Sequence, residues 1–277
     1  MKRTTSLLGL LLVLPSLALA QPSWVLYPSA APDRLPIPAL VWAPATPSTA
    51  GVVFVHGGFG ASIAWTEAVM GARLQELADA GYWVIGPDYR GSSGHGAAFE
   101  ALADPGGFEV DDVAGAAAWL RAQGVTRLVV LGLSHGGLIT GGIAFRSPEL
   151  ADGWAIVSAG GDWSAIYAQA AACPLPRCEQ LVADLERSMG GSPTTAPEAF
   201  AARSLQWNAD AVRRPLFLAH GTEDTIVPPA LTLALAGALA DAQQRVTVDL
   251  YPDAGHEVLW SAAWADVRRW LEARVSP

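Results

Sequence analysis

The chain has 277 residues, of which 51% are hydrophobic and 16% charged, and its formal net charge is −9 at pH 7. This length suits one large α/β domain or two small ones, and the hydrophobic content excludes a largely disordered chain. The acidic balance, without any block of Lys or Arg, argues against binding to nucleic acid or to anionic lipid.

Residues 1–20 predict a secretory signal peptide. Lys2 and Arg3 supply a charged start, Leu7–Leu14 is an apolar run, and the segment ending at Ala20 has the small-x-small form of a cleavage site. An uncleaved membrane anchor is the alternative, but the apolar run is short for a bilayer span. We therefore expect a secreted or periplasmic protein that leaves the membrane after cleavage, with an oligomeric state that the sequence does not indicate.

A regular alternation of apolar runs and amphipathic segments begins near residue 51, after two short extended pieces at 24–27 and 39–42. The apolar runs are continuous, which is typical of strands covered on both faces. Strands are predicted within 51–58, 82–91, 127–134, 153–160, 214–221 and 245–256, and helices near 64–80, 110–123, 135–146, 229–242 and 257–273. This order predicts one α/β domain over 21–277, with a mostly parallel sheet of about eight strands and helices on both faces.

Residues 161–213 interrupt this alternation. They include Trp163, Tyr167 and Trp207, and roughly fifty residues make a marginal core for a separate domain. We predict a mostly helical, lid-like insertion over the end of the sheet. Its three aromatic residues are candidate contacts for an apolar acyl or aromatic group of a substrate.

Both cysteines, Cys173 and Cys178, lie within this insertion, separated by a short segment that contains two prolines. An exported compartment permits a disulfide, and such a segment suits a short closed loop. No histidine lies near the pair, so a metal site is not indicated. We predict a structural disulfide.

A single serine, Ser134, stands between a strand-like run and a predicted helix. The segment Gly132–Gly136 reads Gly-Leu-Ser-His-Gly, which matches the G-x-S-x-G pattern of a nucleophile elbow in the strand-to-helix context that the elbow requires. Glycine on both sides relieves steric clash at a strained turn. The pattern therefore predicts a reactive serine at a helix N-terminus, where backbone N–H groups favour developing negative charge.

A serine nucleophile needs a base and an orienting carboxylate. Of the five histidines, His256 follows the last predicted strand, where the base is expected when the chain order is Ser, Asp, His. For the carboxylate, the loop after the preceding strand offers Glu223 and Asp224, and Asp253 is a weaker rival. Periodicity alone does not separate the first two.

The acyl-transfer intermediate also needs an oxyanion hole. The backbone N–H of His135, the residue after the serine, is one expected donor. The other is expected from the loop after the first long strand, with Gly58 as the first candidate and Phe59 as the second.

Six stretches, in this order, resemble the catalytic domain of the prolyl oligopeptidase family of α/β-hydrolases. They are His56-Gly57-Gly58, DYRGSSGHGAAF (88–99), DVAGAAAWL (112–120), GLSHGGLIT (132–140), HGTEDTIVPPAL (220–231) and YPDAGHEV (251–258). The resemblance implies an α/β-hydrolase fold, a triad of Ser134, Asp224 and His256, and hydrolysis of a peptide or an ester. It also implies that Asp88 and Arg90 brace the loop near the site.

Two features differ from the family pattern. About 30 residues before the core are too few for the β-propeller that family peptidases usually carry, and His135 replaces an aromatic residue often found after the nucleophile. Dienelactone-hydrolase-like esterases are near relatives, although they use a cysteine nucleophile.

The sequence therefore predicts an exported serine hydrolase acting on a small ester or a short peptide, with no metal or organic cofactor. Ester hydrolysis is slightly favoured. A peptidase without a propeller is the alternative, and a non-catalytic binding protein on the same fold is a third hypothesis.

Overall fold

The computed structural model describes residues 21–277. The predicted signal peptide, residues 1–20, lies outside the described residues. Within 21–277, no helix has both the length and the apolar content needed to span a bilayer.

Within residues 21–277, eight strands form one sheet, as predicted, in the spatial order β1-β2-β4-β3-β5-β6-β7-β8. The strand β2 pairs antiparallel with β1 and with β4, and every other pair is parallel. Their bounds are β1 Ser23–Pro28, β2 Pro36–Trp42, β3 Ala50–Val55, β4 Trp83–Pro87, β5 Arg127–Leu133, β6 Gly153–Val157, β7 Leu216–Gly221 and β8 Val246–Tyr251. The carboxyl ends of β3 to β8 therefore meet at one edge of the sheet, where ligand sites of open α/β folds lie.

Helices cover both faces of the sheet, which explains why the central strands are apolar throughout. The helix bounds are α1 Ile63–Asp79, α2 Ala97–Glu100, α3 Phe108–Ala122, α4 His135–Arg146, α5 Trp163–Ala171, α6 Pro176–Met189, α7 Pro197–Arg203, α8 Pro229–Asp241 and α9 Trp264–Val275. One buried cluster joins the sheet to α3, α4 and α8, and a second joins it to α1 and α9. The predicted α/β-hydrolase architecture is confirmed.

The last helix begins later than the sequence prediction of residue 257. Val258–Trp260 form a 3-10 turn, and α9 starts at Trp264. The buried positions Trp264, Val267, Leu271 and Val275 recur with helical spacing, whereas Val258 and Leu259 are consecutive and both buried. The turn therefore adds two apolar side chains to the core directly after His256, before the amphipathic helix starts.

The segment 161–213 contains α5, α6, α7 and two further 3-10 turns, Leu205–Trp207 and Ala209–Ala211. Its helices share a small core that also contacts Leu138 of α4. The amphipathic stripe of α6 is Leu181, Leu185 and Met189, four residues apart, and the helix ends at Gly190 in the left-handed conformation. This segment is thus packed onto the helix that follows Ser134.

Cys173 and Cys178 form the predicted disulfide, which links the end of α5 to the first turns of α6. We expect the double substitution Cys173→Ser and Cys178→Ser to lower the free energy of unfolding by about 2 kcal/mol, because so short a loop constrains the unfolded chain only modestly. Urea unfolding of the variant and of the oxidised parent measures the difference. A loss below about 0.5 kcal/mol would contradict this expectation.

Candidate active site

Ser134 lies at the junction of β5 and α4 with a backbone conformation that is strained for serine, at φ 55° and ψ −120°. Its N–H donates to the carbonyl of Val157 at the end of the neighbouring strand, at 2.8 Å. Its own carbonyl accepts from the N–H of Gly137 at 2.8 Å. These bonds hold the turn in the geometry that a nucleophile elbow requires.

Glycines around Ser134 are required by close backbone approach. A Cβ atom at Gly132 would overlap the carbonyl oxygen of Gly136, and one at Gly136 would overlap the carbonyl oxygen of Val55. A Cβ atom at Gly57 would come within 3.0 Å of the Ser134 Cβ atom. The glycine spacing in the sequence therefore reflects contacts with β3 and within the elbow itself.

We expect Gly136→Ala to lower the free energy of unfolding by at least about 3 kcal/mol, since backbone atoms of a central strand cannot move aside cheaply. The matched control is Gly237→Ala on α8, where an added Cβ meets nothing within 4 Å. That control should be neutral or stabilising by up to about 1 kcal/mol. Equal unfolding midpoints for the two variants in urea would contradict the packing account.

His256 and Asp224 are brought together by the loops after β8 and β7. The Nδ1 atom of His256 lies 2.7 Å from Oδ2 of Asp224. The other carboxylate oxygen, Oδ1, accepts the N–H groups of Ile226 and Val227, each at 2.9 Å. The carboxylate is therefore fixed, the hydrogen of the imidazole is held on Nδ1, and Nε2 is left free to accept a proton.

The end of β6 joins the His256 loop to the elbow. Ser158, at φ 52°, donates its hydroxyl to the carbonyl of His256 at 3.0 Å. The preceding residue, Val157, accepts the N–H of Ser134. The backbone of His256 and that of Ser134 are therefore bound to adjacent residues of one strand end.

His220 is a second partner of Asp224 that sequence reasoning did not assign to the site. Its Nε2 atom lies 3.0 Å from Oδ2 of Asp224 and 2.9 Å from the carbonyl of Val227. Its Nδ1 atom lies 2.6 Å from the hydroxyl of Thr232. The four-residue spacing of His220 and Asp224 was the available signal, but it does not show that the turn points both side chains inward.

The pKa of Asp224 lies well below its usual range. Burial raises the pKa, but hydrogen bonds from His220 and His256 and from the N–H of Val227 outweigh that effect.

Because the folded-state pKa of Asp224 is below the unfolded value, this carboxylate stabilises the fold fully above about pH 4, and the stabilisation is lost as pH falls. We expect the difference in unfolding free energy between wild type and Asp224→Asn to shrink from pH 5 to pH 2, measured by urea unfolding; a constant difference would contradict the assignment.

The rival groups from the sequence are held elsewhere or face solvent. Glu223 and Asp253 are exposed. His56 is buried with its ring nitrogens near Tyr89, Ser92 and Asp88. His95 lies with Nε2 2.7 Å from Asp88. The geometry therefore distinguishes Asp224 from Glu223, which periodicity did not.

The predicted oxyanion donors lie beside the elbow. His135 is the first residue of α4, where backbone N–H groups lack an acceptor within the helix. Gly58 has φ 83°, a conformation that favours glycine. Phe59 is 40% exposed, and its ring centroid lies 4.1 Å from that of His135.

The three aromatic residues expected to contact substrate differ in placement. Trp163 is only 1% exposed and packs its ring edge-on against His135, so the expectation of direct contact is not met. Its apolar surface is needed to bury the junction of α5 with the elbow. Tyr167 donates its hydroxyl to Glu186 at 2.6 Å. Trp207 is 62% exposed.

Asp88 and Arg90 tie together the loops that surround the site. Asp88 accepts the N–H of Ile63 at the start of α1, at 2.5 Å. Arg90 makes two bonds to the buried carboxylate of Asp112, at 2.8 and 2.9 Å, and a third to Asp33, at 3.1 Å. The resemblance implied such bracing, and Asp112 supplies the opposite charge that a buried guanidinium needs.

Comparison with known proteins identifies the family. The prolyl oligopeptidase family matches residues 67–274, about three quarters of the chain. The chain belongs to this family of serine hydrolases. Dipeptidyl aminopeptidase BIII of Pseudoxanthomonas mexicana is 31% identical over 212 residues, which are 74% of this chain and 30% of that protein.

Solved structures of similar fold support the architecture. The acylaminoacyl peptidase of Pyrococcus horikoshii superimposes with a TM-score of 0.74 at 20% identity, over 92% of this chain and 42% of that one. A puromycin-hydrolyzing peptidase of Mycobacterium tuberculosis gives a TM-score of 0.74 at 25% identity, over 91% of this chain and 38% of that one. This chain spans less than half the length of each of these relatives.

Proposed function

We propose that this chain is an exported serine peptidase that hydrolyses amide bonds of short peptides through an acyl-enzyme on Ser134. The observation that carries the proposal is the bond between His256 Nδ1 and the buried carboxylate of Asp224, at 2.7 Å, on the sheet edge where the Ser134 elbow lies. An imidazole held in this tautomer presents Nε2 as a general base.

In the acylation step, Oγ of Ser134 attacks the carbonyl carbon of the substrate and its proton passes to Nε2 of His256. The tetrahedral oxyanion accepts hydrogen bonds from the backbone N–H of His135 and from that of Gly58 or Phe59. When the C–N bond breaks, the imidazolium returns its proton to the leaving amine. The buried Asp224 carboxylate stabilises the positive charge on His256 during this step.

In the deacylation step, water takes the place of the amine. His256 accepts one proton of the water as its oxygen attacks the acyl carbon, and the C–O bond to Ser134 then breaks. The proton returns to the serine oxygen, so the products are a carboxylic acid and the free enzyme. The same steps hydrolyse an ester, with an alcohol as the leaving group.

The relatives favour amide hydrolysis over the ester preference expected from the sequence. All three are named as peptidases. The disulfide between Cys173 and Cys178 supports an oxidising compartment, as does the signal-like segment 1–20. Secretion or periplasmic location is part of the proposal.

The test is side-by-side turnover of a panel of aminoacyl and dipeptidyl p-nitroanilides and of p-nitrophenyl butyrate. We expect kcat/KM for the best anilide to be well above the value for a Ser134→Ala preparation, which serves as the blank. Ester turnover with no anilide turnover would overturn the peptidase proposal in favour of an esterase. No turnover of either would favour a non-catalytic protein.

A further inference from the structure

A cavity of about 680 Å³ lies at the edge of the sheet where β6, β7 and β8 begin. This volume falls in the range of pockets that hold small ligands. The Ser134 elbow and the Asp224 loop follow the ends of β5 and β7, so they lie at the opposite edge. The strand β7 has six residues, which corresponds to a length of about 20 Å. The cavity is therefore separate from the reaction centre.

Three arginines line this cavity. Arg214 lies just before β7, Arg245 lies just before β8, and Arg274 lies in the last turn of α9. Guanidinium groups keep their positive charge throughout the pH range in which proteins are studied. The acidic residue of the wall is Asp152, and Glu149, outside the wall, pairs with Arg214. One positive formal charge remains after both carboxylates are counted, although the chain as a whole is acidic.

Asp152 does not neutralise the arginines. Its Oδ2 atom accepts the N–H of Leu128, in β5, at 2.8 Å. Within residues 21–277, no arginine nitrogen lies within 4.0 Å of this carboxylate, and neither Arg245 nor Arg274 forms an ion pair. Two guanidinium groups of the wall therefore lack an anionic partner in the part of the chain that the structure describes.

Two of the arginines also carry an unpaired buried donor. The Nε atoms of Arg214 and Arg274 are buried and have no hydrogen-bond partner among residues 21–277. An unpaired buried N–H lowers stability, and most buried polar groups in proteins are paired. Because the charge of a guanidinium is delocalised over its three nitrogens, an anion bound at the outer Nη atoms also compensates the charge on the buried Nε atom.

The arginines are held in place before any ligand binds. The Cζ atom of Arg274 lies 5.0 Å from the centroid of the Trp270 ring, within the range of a cation–π contact. Arg214 is held by Glu149. The carbonyl of Arg245 accepts the N–H of Leu216 at 2.9 Å, which fixes its backbone beside β7. Groups that are ordered in advance lose less conformational entropy on binding.

We propose that this cavity is a binding site for a small oxyanion with at least two negative charges, such as a phosphate ester or a polycarboxylate. The planar fork of a guanidinium matches the oxygen atoms of both groups. The three arginines come from different segments, so the bound anion links the starts of β7 and β8 to the end of α9 and stabilises the folded chain by mass action. This inference does not depend on the proposed peptidase function.

The experiment is isothermal titration calorimetry with pyrophosphate and with citrate, in metal-free buffer at neutral pH and about 0.1 M ionic strength. We expect one anion per chain with a Kd of about 1 mM or less, and acetate to bind at least about tenfold more weakly. Tighter binding of pyrophosphate identifies a phosphate ligand, and tighter binding of citrate identifies a polycarboxylate.

Arg245→Gln and Arg274→Gln are each expected to raise the Kd of the tighter anion at least about tenfold. The matched control is Arg177→Gln, because Arg177 is exposed, lies in α6, and forms no ion pair within residues 21–277. It should keep the wild-type Kd. Ser134→Ala should also keep this Kd, which separates the cavity from the predicted nucleophile.

Circular dichroism checks that each variant folds. Arg245 is exposed and unpaired, so Arg245→Gln is expected to fold and decides the test if Arg274→Gln does not. No binding of either polyanion to the folded wild type would overturn the proposal, as would a Kd unchanged by Arg245→Gln or by a folded Arg274→Gln. Binding that is lost in Ser134→Ala or in Arg177→Gln would place the anion at the opposite edge of the sheet and would also overturn it.

Discussion

Replacing Ser134 by alanine is expected to lower kcat for peptide anilides by about four to six orders of magnitude, as loss of the nucleophile does in well-studied serine peptidases. The backbone of Ser134 is held at φ 55° in the elbow at the sheet edge, and the next residue begins α4. Alanine fits the same backbone but has no oxygen to form the acyl-enzyme. Steady-state turnover of the best anilide, with active-site titration of the wild type, measures the loss.

Ser276→Ala provides the matched control. Within residues 21–277 its hydroxyl is bonded only to the carbonyl of Glu272, in the last turn of α9, so wild-type turnover is expected. Ser134→Ala should remain folded, because alanine removes one oxygen and leaves the elbow glycines in place. Retention of more than about one hundredth of wild-type kcat in the folded variant would show that another group is the nucleophile.

Replacing Asp224 by asparagine is expected to lower kcat by about four orders of magnitude. The N–H groups of Ile226 and Val227 hold one side-chain oxygen, so the new amide nitrogen faces His256. That amide donates to Nδ1, which forces the imidazole hydrogen onto Nε2. His256 then cannot accept the proton of Ser134.

The same amide nitrogen also faces Nε2 of His220, which donates to Asp224 and to the carbonyl of Val227 in the wild type. The N–H of His220 and the new amide N–H then face each other without an acceptor between them, so we expect some stability to be lost along with activity. Glu223→Gln, in the same loop but exposed, is the matched control and should retain activity. If Glu223→Gln loses activity and Asp224→Asn does not, the carboxylate has been assigned to the wrong residue.

Much of the fold follows from local sequence patterns. The continuous apolar runs predicted the buried strands, since helices on both faces leave no strand face for polar residues. The elbow at Gly132–Gly136 was predictable because its glycines are demanded by neighbouring backbone within the same turn and on the adjacent strand. The Asp224–His256 pair followed from the resemblance rather than from periodicity.

Contacts between segments distant in the chain could not be predicted from the sequence patterns. Glu109 and His135 are 26 positions apart, and only the packing of α3 against α4 places them 2.8 Å apart. Trp163 was a candidate substrate contact, but its packing against His135 leaves it buried. The start of α9 at Trp264 depends on a 3-10 turn that seals the core, which helical periodicity does not reveal.

Intact-protein mass spectrometry after reaction with a fluorophosphonate tests the central claim most directly. The account predicts one adduct per chain, located by peptide mapping on Ser134, with labelling slowed by a peptide substrate. Ser134→Ala should remain unlabelled under the same conditions. A folded wild-type protein that forms no adduct, or forms it on another residue, would contradict the assignment of Ser134 as the nucleophile.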